Sequence, residues 1–340
     1  MAQAIQATKT REAAAVATMR AVVQDSYGTP DVLKTASIDR PKIAANEVLI
    51  QVRAAGIDRG TWHTVTGRPY LMRILGFGFS KPKHRVPGLE IAGTVVEVGS
   101  AVTRLAVGDE VYGVGRGSFA EYAAALEDKL ARKPKNTTFE QAAALPISGT
   151  TGLRALIEAG RLEAGQKVLI IGASGGIGTI AVQIAKAIGA EVTGVASTSK
   201  VDLVKSLGAD HVIDYTNQDF ADGSRQYDLI VDLGGNTPVA RLKKALTAKG
   251  TLVIVGGESG GSITGGIGRG MRAQMLSRGP QRMVMLMPKE HHTVLEQLTP
   301  FVESGAVTPH IDRTYTLDQV ADAVRRIEAG QARGKLVLSL

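Results

Sequence analysis

The 340-residue sequence contains no cysteine, which excludes disulfide bonds and every metal site that uses thiolate ligands. It also has no apolar run near the ~20 residues that a membrane-spanning helix requires. Its first residues lack the apolar core of a secretory signal. From these absences we expect a cytoplasmic protein with no membrane partner.

Aromatic residues are scarce, at 4% of the chain with a single tryptophan. Proteins that bind single-stranded nucleic acid usually stack bases on aromatic side chains, so few such platforms are present. The formal net charge is nevertheless +8. Because Lys and Arg are spread along the chain, this charge indicates either a solvated basic surface or attraction of a polyanionic cofactor. We expect no nucleic-acid partner.

Residues 19–140 have the pattern of a β-rich domain. Short apolar and β-branched runs alternate with Gly and Pro, and this pattern indicates a sandwich or small barrel. The clearest predicted strands are Glu47–Val52 and Ile91–Val98. Residues 1–18 precede the pattern and are interpreted as an N-terminal extension.

From residue 141 the pattern changes to strands that alternate with helices, which predicts an α/β domain with a doubly wound parallel sheet. This domain is predicted to cover residues 141–288, and residues 289–340 are predicted to return to the first domain. The predicted strands are Lys167–Ile171, Val192–Ala196, His211–Asp214, Tyr227–Asp232, Thr251–Val255 and Gln281–Met287. The predicted helices are Ile177–Ile188, Val201–Leu207, Val239–Ala248, His291–Ser304 and Leu317–Ala329.

One stretch of this domain, residues 256–282, is rich in glycine and serine and contains Arg269, Arg272 and Arg278. Glycine gives such a segment little intrinsic order. We expect a long loop there, which is either a flap that closes over a polyanionic ligand or a plain surface loop.

A glycine-rich turn joins the strand Lys167–Ile171 to the helix that follows. Because Gly175 has no side chain, a pyrophosphate can approach the backbone there, and Gly178 allows the helix to pack closely on the strand. The helix N-terminus offers unpaired N–H groups to phosphate. A tight turn without a ligand is the alternative, but the flanking strand and helix favour a dinucleotide site. The predicted site residues are Ser174, Gly175, Gly176, Ile177 and Gly178.

The end of the next strand distinguishes NAD from NADP. An NAD site places Asp or Glu there to bind the ribose 2′-hydroxyl. This chain has no acid there and reads Ser197-Thr198-Ser199-Lys200, whose hydroxyls and ammonium suit a 2′-phosphate. We therefore predict NADPH as the cofactor, bound through Ser197, Thr198 and Lys200. The alternative is a helix cap beside a solvated lysine.

Four motifs give residues 19–340 a resemblance to the medium-chain dehydrogenase/reductase superfamily. Besides the glycine-rich turn they are Val-Gly-Asp-Glu-Val at 107–111, Gly-Ser-Phe-Ala-Glu-Tyr at 117–122 and Leu-Gly-Ala-Asp-His-Val-Ile-Asp-Tyr at 207–215. The resemblance implies a GroES-like β-barrel substrate domain beside a Rossmann dinucleotide-binding domain, with the last segment completing the barrel. It also implies a homodimer, since many members pair through their nucleotide domains.

The resemblance also shows which zinc ligands are missing. Zinc-dependent members place a cysteine near position 58 and a histidine at position 89, where this chain has Asp58 and Leu89. The chain is therefore similar to the zinc-free, quinone-oxidoreductase-like branch, and no metal site is predicted. Members of that branch mostly reduce activated C=C bonds, and protein donors or water serve the carbonyl oxygen.

Three residues of the segment that faces the cleft in the superfamily are catalytic candidates. Asp58 either positions a proton or caps the helix that follows. His63 either donates a proton or is an ordinary surface or core histidine. Tyr70 either donates to an oxyanion or packs. Further cofactor candidates come from the resemblance: Thr151 beside the nicotinamide, Lys200 and Tyr215 near the adenine end, Gly234 and Gly256 along the groove, and Lys335.

Together these features predict a zinc-independent, NADPH-dependent oxidoreductase that transfers hydride to a small-molecule quinone, enone or related carbonyl substrate. One alternative is a zinc-free, NADP-dependent alcohol dehydrogenase. The other is a non-catalytic nucleotide-sensing or RNA-binding protein on the same fold.

Overall fold

The computed structural model describes residues 17–235, 237–256, 261–275, 277, 279–287 and 289–340, and the structural statements below concern these residues. They form a sheet of seven strands, a sheet of six strands and a two-stranded sheet. The first strand begins at Thr18, so most of the predicted extension 1–18 lies outside the described residues.

The N-terminal part of the chain supplies mainly antiparallel strands and one helix. Its strands are β1 (Thr18–Val23), β2 (Lys34–Asp39), β3 (Glu47–Ile57), β4 (Glu90–Val98), β5 (Glu110–Val114), β6 (Tyr122–Leu126) and β7 (Leu130–Arg132), and its helix is α1 (Arg59–Thr66). β3 pairs with both β4 and β6 and is buried over most of its length, which explains its long apolar sequence.

The middle of the chain builds a parallel sheet covered by helices. Its strands are β8 (Lys167–Ile171), β9 (Glu191–Ala196), β10 (His211–Asp214), β11 (Tyr227–Asp232), β12 (Leu246–Ile254) and β13 (Arg282–Met285). Its helices are α2 (Phe139–Ala143), α3 (Pro146–Leu153), α4 (Gly176–Ile188), α5 (Val201–Ser206), α6 (Val239–Lys244) and α7 (Ile267–Met275). The strand order is β10-β9-β8-β11-β12-β13. The order reverses at β8, and a ligand crevice forms at such a point, outside the carboxyl ends of the strands.

The last segment pairs with the first sheet. It contains α8 (His292–Glu303), β14 (Ile311–Tyr315), α9 (Val320–Glu328) and β15 (Lys335–Ser339). β15 pairs antiparallel with β3 and parallel with β14, which gives the seven-stranded sheet the order β14-β15-β3-β4-β5-β7, with β6 also on β3. Within the described ranges, no helix combines the length and the apolar character needed to cross a membrane.

One helix prediction was too long. The sequence predicts a helix over Val239–Ala248, but α6 ends at Lys244. The reason is that Leu246 already pairs with Tyr227 of β11 as the first residue of β12. Pairing with a neighbouring strand therefore outweighed the local helical pattern.

The glycine-rich stretch 256–282 is not one continuous loop, because α7 lies inside it. Ala273 of this helix is buried, and Gly270 lies so close to β13 that an added Cβ would be 2.6 Å from Sδ of Met285. Packing against the sheet therefore outweighs the low helix propensity of glycine here. Arg278 lies outside the described residues, and so does the side chain of Arg272.

A buried hydroxyl connects the first sheet to the helix α8 of the C-terminal segment. Tyr112 of β5 is fully buried, and its hydroxyl donates to the carbonyl of Leu295 in α8 at 3.0 Å and lies 3.2 Å from the Thr299 hydroxyl. Burial raises the pKa of Tyr112 to about 12, and the Thr299 hydrogen bond opposes this rise.

We predict that Tyr112→Phe lowers the free energy of unfolding at neutral pH by ~0.5–1.5 kcal/mol, the usual worth of one such hydrogen bond. Because the folded pKa of about 12 exceeds the ordinary tyrosine pKa of 10.0, the wild type should lose stability as the pH rises from 10 towards 12. The variant lacks this ionisation, so its deficit relative to the wild type should shrink over that range. Urea unfolding at neutral and alkaline pH measures both effects, and a deficit that stays constant with pH would contradict them.

Candidate active site

The predicted cofactor residues converge on one edge of the parallel sheet. Gly172–Gly178 follow β8, Ser197–Lys200 follow β9, Tyr215 follows β10, Gly234 follows β11 and Gly256 follows β12. All these strands are parallel, so their carboxyl ends lie on the same side. Thr151 lies on α3, which packs against α4 at the same edge. The structure thus brings together candidates that are far apart in sequence.

The glycines of the turn after β8 serve different purposes. A Cβ on Gly178 would lie 2.2 Å from the carbonyl oxygen of Gly172, so only glycine allows α4 to start so close to β8. A Cβ on Gly176 would lie 2.8 Å from Cδ of Lys335. A Cβ on Gly175 would meet only the Gly172 oxygen, at 3.5 Å, so the space outside Gly175 is open. That open space adjoins the N-terminus of α4, where the first N–H groups have no partner within the helix and suit a phosphate.

The C-terminal strand reaches the glycine-rich turn from the other sheet. The N–H of Gly334 donates to the carbonyl of Ser174 at 2.9 Å, and Gly175 and Gly334 form an isolated parallel bridge. Gly334 has a φ of 100°, a conformation that favours glycine. The next residue, Lys335, is therefore fixed directly beneath the turn.

Lys335 forms a buried ion pair with Glu90 of β4. Each side chain is 1% exposed, and the second carboxylate oxygen of Glu90 accepts the N–H of Ile147 at the start of α3 at 2.9 Å. Burial raises the pKa of Glu90, the Lys335 ammonium opposes this rise, and the Asp58 carboxylate adds to it. The amine that the resemblance assigns to the cofactor is thus bound to a carboxylate beneath the site.

Lys200 and Thr198 have protein partners at the predicted 2′-phosphate site. Lys200 donates to the carbonyls of Gly330 and Ala332, both at 2.8 Å, and so holds the loop that leads to Gly334. The Thr198 hydroxyl donates to Asp214 at 2.6 Å. Hydrogen bonds from Thr198 and Thr216 lower the pKa of Asp214 to about 2, so this carboxylate is charged at neutral pH. The second strand indeed ends without an acid, but the third strand brings one to the same place.

The three catalytic candidates occupy different environments. Asp58 is the N-cap of α1, and its carboxylate accepts the N–H of Thr61 at 2.9 Å in a capping box, which is the structural alternative left open by the sequence. His63 binds the carbonyl of Arg68 through Nδ1 at 2.6 Å. Tyr70 is 42% exposed. Of the three, only Asp58 is close enough to Glu90 to influence its pKa.

Residues 261–266, here called the strap, connect the two sides of the cleft. The N–H groups of Tyr70 and Leu71 donate to the carbonyls of Ser262 and Ile263 at 2.8 and 2.9 Å. A Cβ on Gly265 would lie 2.9 Å from Cγ of Pro69. The strap, which leads into α7, therefore lies against the segment that carries Tyr70.

Arg269, at the start of α7, is anchored to the same sheet edge. It pairs with the fully buried Asp232 at 2.5 Å and donates to the carbonyl of Thr237, while Asp232 also accepts the N–H of Gly235. We expected the Arg269 charge to face a polyanionic ligand, but most of it is compensated by Asp232. Neither Asp232 nor Glu90 was among the site residues predicted from the sequence. The available signal was an acid at the end of an otherwise apolar strand, since such a charge needs a partner.

At the position where zinc-dependent members have a histidine, Leu89 is 38% exposed and precedes the buried Glu90. Among the described residues, no group of three or more His, Asp or Glu side chains is arranged to hold a metal ion. This position thus carries an apolar side chain instead of a metal ligand.

Two family descriptions match the sequence: "Alcohol dehydrogenase GroES-like domain" over residues 44–135 and "Zinc-binding dehydrogenase" over residues 207–338. The chain is 35% identical over 336 residues to a 2-methylene-furan-3-one reductase of Solanum lycopersicum, covering 94% of this chain and 79% of that protein. It is 36% identical over 336 residues to a chloroplastic NADPH-dependent alkenal/one oxidoreductase of Arabidopsis thaliana, covering 94% and 79%.

A solved structure of a quinone oxidoreductase from Coxiella burnetii superposes with a TM-score of 0.84 at 29% identity, over 95% of this chain and 100% of that one. With the GroES-like match and the strand order above, this similarity confirms the predicted fold class, a doubly wound Rossmann sheet with a GroES-like β-barrel domain.

We predict that two alanine substitutions in the glycine-rich turn affect different properties, one the stability and the other the dinucleotide binding. Gly178→Ala should lower the free energy of unfolding by roughly 1–3 kcal/mol, because the new methyl group meets the Gly172 carbonyl. Gly175→Ala should leave stability nearly unchanged and weaken dinucleotide binding by about tenfold, or ~1.4 kcal/mol, because the methyl group enters the open space. Thermal unfolding and fluorescence titration separate the two. Tight dinucleotide binding by a stable Gly175→Ala protein would place the phosphates elsewhere.

The buried pair should show strong coupling. Glu90→Gln or Lys335→Met alone leaves one buried charge without its partner and should cost ~3–5 kcal/mol of unfolding free energy. The double variant should cost much less than the sum, because no isolated charge remains. A double-mutant cycle in urea measures this coupling, and additive costs would show that the two charges act independently.

Proposed function

Because the chain belongs to the medium-chain dehydrogenase/reductase superfamily, we propose that it transfers hydride from NADPH to a quinone, an enone or a related carbonyl compound without a zinc ion. The observation that carries the proposal is the open, glycine-lined phosphate cradle at Gly175, placed beside a cleft with Leu89 at the metal position. The relatives described above are named as reductases or oxidoreductases of enone-type substrates, which favours catalysis over a non-catalytic role.

The residues of the sheet edge fit a bound dinucleotide. The cradle formed by Ser174, Gly175, Gly176, Ile177 and Gly178 suits the pyrophosphate, since its open space lies at a helix N-terminus. Gly234, Gly256 and Thr151 would line the nicotinamide half of the groove. Ser197, Lys200 and Tyr215 would lie at the adenosine half, with Thr198 turned towards Asp214. When bound, the cofactor supplies the hydride.

Lys335 has a positioning role in this proposal. Its ammonium is paired with Glu90, so its contribution is the shape of the cradle floor. Its aliphatic stem lies against Gly176 and thereby holds the turn at a fixed distance from β15. This function differs from the direct cofactor contact that the resemblance implies.

The residues of the cleft stabilise the charge that develops on the substrate carbonyl oxygen. In the absence of a metal, hydrogen-bond donors perform this task. Tyr70 is the candidate donor, because its ring is partly exposed and Arg73 lies over it at 4.8 Å. Asp58 is a candidate for positioning the proton. His63 is the weaker candidate, since its Nδ1 is bound to the Arg68 carbonyl.

The domain boundaries near residues 140 and 288 and a homodimer are further parts of the proposal. β13 is an edge strand of the parallel sheet, and the exposed Met287 follows it, so this edge is available for pairing with a second copy. The mass in solution scattering tests the dimer. The cytoplasmic location also remains a prediction, and one relative is named as chloroplastic.

We predict that the wild type binds NADPH more tightly than NADH and that Lys200→Ala removes most of this preference. Loss of a charged hydrogen bond to the 2′-phosphate should cost ~1.5–3 kcal/mol of NADPH binding. Lys200 also binds the carbonyls of Gly330 and Ala332, so NADH binding is measured alongside NADPH binding. If Lys200 had only this structural role, its loss would weaken the binding of both dinucleotides equally. Lys205→Ala, an exposed lysine on α5, is the matched control variant. Equal wild-type affinities in a fluorescence titration would refute the NADPH prediction.

The activity should survive metal removal. After dialysis against a strong chelator, we expect NADPH oxidation with a small quinone and a short-chain enone at an unchanged rate, because no step requires a Lewis acid. A simple secondary alcohol with NADP+ should react much more slowly, since without a metal ion no group stabilises the alkoxide from which the hydride leaves. Activity that disappears on dialysis and returns only with zinc would overturn the proposal.

A further inference from the structure

Four large apolar side chains beside the cleft are exposed to solvent. Ile74 is 69% exposed, Leu75 63%, Phe79 79% and Ile263 68%. Burial of such residues in the core is favourable, so several that are exposed close together indicate a surface that binds another molecule. We call these four side chains the apolar tip.

The backbone beneath the apolar tip is ordered by hydrogen bonds. The N–H of Gly78 donates to Arg73 at 3.3 Å, and that of Lys83 donates to Phe77 at 2.6 Å, which closes the loop that carries Phe79. The Tyr27 hydroxyl donates to the carbonyls of Phe77 and Gly78 at 2.8 and 2.7 Å. The loop is therefore held in a shape that presents its apolar side chains outwards.

Two of the contacts described above join this loop to the strap. Leu71, three residues before Ile74, donates to the carbonyl of Ile263, so the fourth member of the tip lies beside the loop. Arg73 lies between the rings of Tyr27 and Tyr70, at 4.2 and 4.8 Å from their centroids, and braces the base of the loop. The apolar tip thus lies beside the segment that carries Tyr70.

The two sequence segments that carry the tip are basic. The sequence has six Lys or Arg and no acid from Arg59 to Leu89, and five Lys or Arg and no acid from Ser259 to Lys289, although the whole chain has 32 acids. The basic residues are therefore less evenly spread than we assumed in the sequence analysis. Arg85 is paired with Asp25 at 2.7 Å, and the exposed Lys81 and Lys83 carry positive charge directly beside Phe79.

We propose that the apolar tip and Lys81 and Lys83 form a docking surface for an anionic lipid bilayer, from which apolar substrates enter the cleft. Aliphatic and aromatic side chains at a loop tip partition into the boundary between headgroups and acyl chains, and flanking lysines are attracted to anionic lipids. Such peripheral docking needs no membrane-spanning helix. It therefore revises our expectation of no membrane partner, which rested on the absence of long apolar runs.

Two other occupants fit the surface less well. A second copy of this chain would bring the same lysines against each other, and like charges oppose association. An RNA strand would be attracted by the charge, but three of the four tip residues are aliphatic, and bases stack on aromatic rings. Acyl chains and anionic headgroups together match both the apolar and the positive parts of the surface.

Vesicle co-sedimentation of the full chain, without cofactor or substrate, tests the proposal. We expect binding to vesicles of phosphatidylcholine with phosphatidylserine and much weaker binding to phosphatidylcholine alone. Lys81→Gln with Lys83→Gln should lower the partition coefficient about fivefold for each lysine. Leu75→Ser with Phe79→Ser should lower it about tenfold or more for each side chain. Salt near 1 M, with a Debye length of ~3 Å, should weaken the wild type and the serine variant alike.

Matched controls remove the same chemistry elsewhere. Val107→Ser replaces a side chain that is 63% exposed and lies near the C-terminal end of β4. Lys205→Gln with Lys249→Gln removes two exposed lysines from the parallel-sheet domain. Both controls should bind vesicles like the wild type. Thermal unfolding confirms that each variant is folded. Because vesicle binding is measured without turnover, its result tests the docking proposal independently of the proposed hydride transfer.

Three results would overturn the docking proposal. The first is a wild type that fails to bind the anionic vesicles. The second is unchanged vesicle binding by both tip variants. The third is a result that assigns the surface to another occupant. Single-stranded RNA binding that depends on Lys81 and Lys83, without vesicle binding, would assign it to RNA. A mass in solution that falls to half in the variant Leu75→Ser with Phe79→Ser would assign it to a second copy of this chain.

Discussion

The buried ion pair between Glu90 and Lys335 joins four segments that are distant in sequence. Glu90 lies at the start of β4 and also binds the N–H of Ile147, which begins α3, while Lys335 begins β15 and lies against the glycine-rich turn. Taking two charges out of water is costly, so the pair is tolerable only when both partners are in place. The first sheet, the C-terminal strand and the dinucleotide cradle can therefore reach their positions only together.

A second connection across the cleft is made of weaker contacts. The strap is joined to Tyr70 and Leu71 by two backbone hydrogen bonds near exposed side chains. Such contacts open at a lower free energy than a buried ion pair. The floor of the cleft is thus fixed, while its outer rim can separate without disturbing the sheets. Arg269 and Asp232 keep the base of α7 at the sheet edge when this happens.

The sequence was sufficient wherever a structure depends on neighbouring residues. β8, β10 and β11 begin and end where predicted. For β8 and β11 the reason is that buried parallel strands read as continuous apolar runs. α4 ends just before Gly189, whose φ is 92°. The glycine-rich turn was identifiable for the same reason. What escaped prediction depends on contacts over long separations. Lys200 binds carbonyls 130 and 132 residues away, Glu90 binds an amine 245 residues away, and Asp214 reaches Thr198 from another strand. No local pattern specifies such partners.

The contact between Gly176 and Lys335 has a consequence for how this chain can change. A Cβ at position 176 and the lysine stem would occupy the same space, so the two positions share a single volume. A larger residue at 176 becomes acceptable only when the residue at 335 becomes shorter, and because a shorter residue leaves the buried Glu90 without its partner, Glu90 must change as well. The two positions should therefore vary as a pair during evolution, although one lies in the nucleotide motif and the other in the last strand. Gly176 belongs to a motif typical of phosphate binding, but here a glycine is also required because the stem of Lys335 occupies the space of a Cβ.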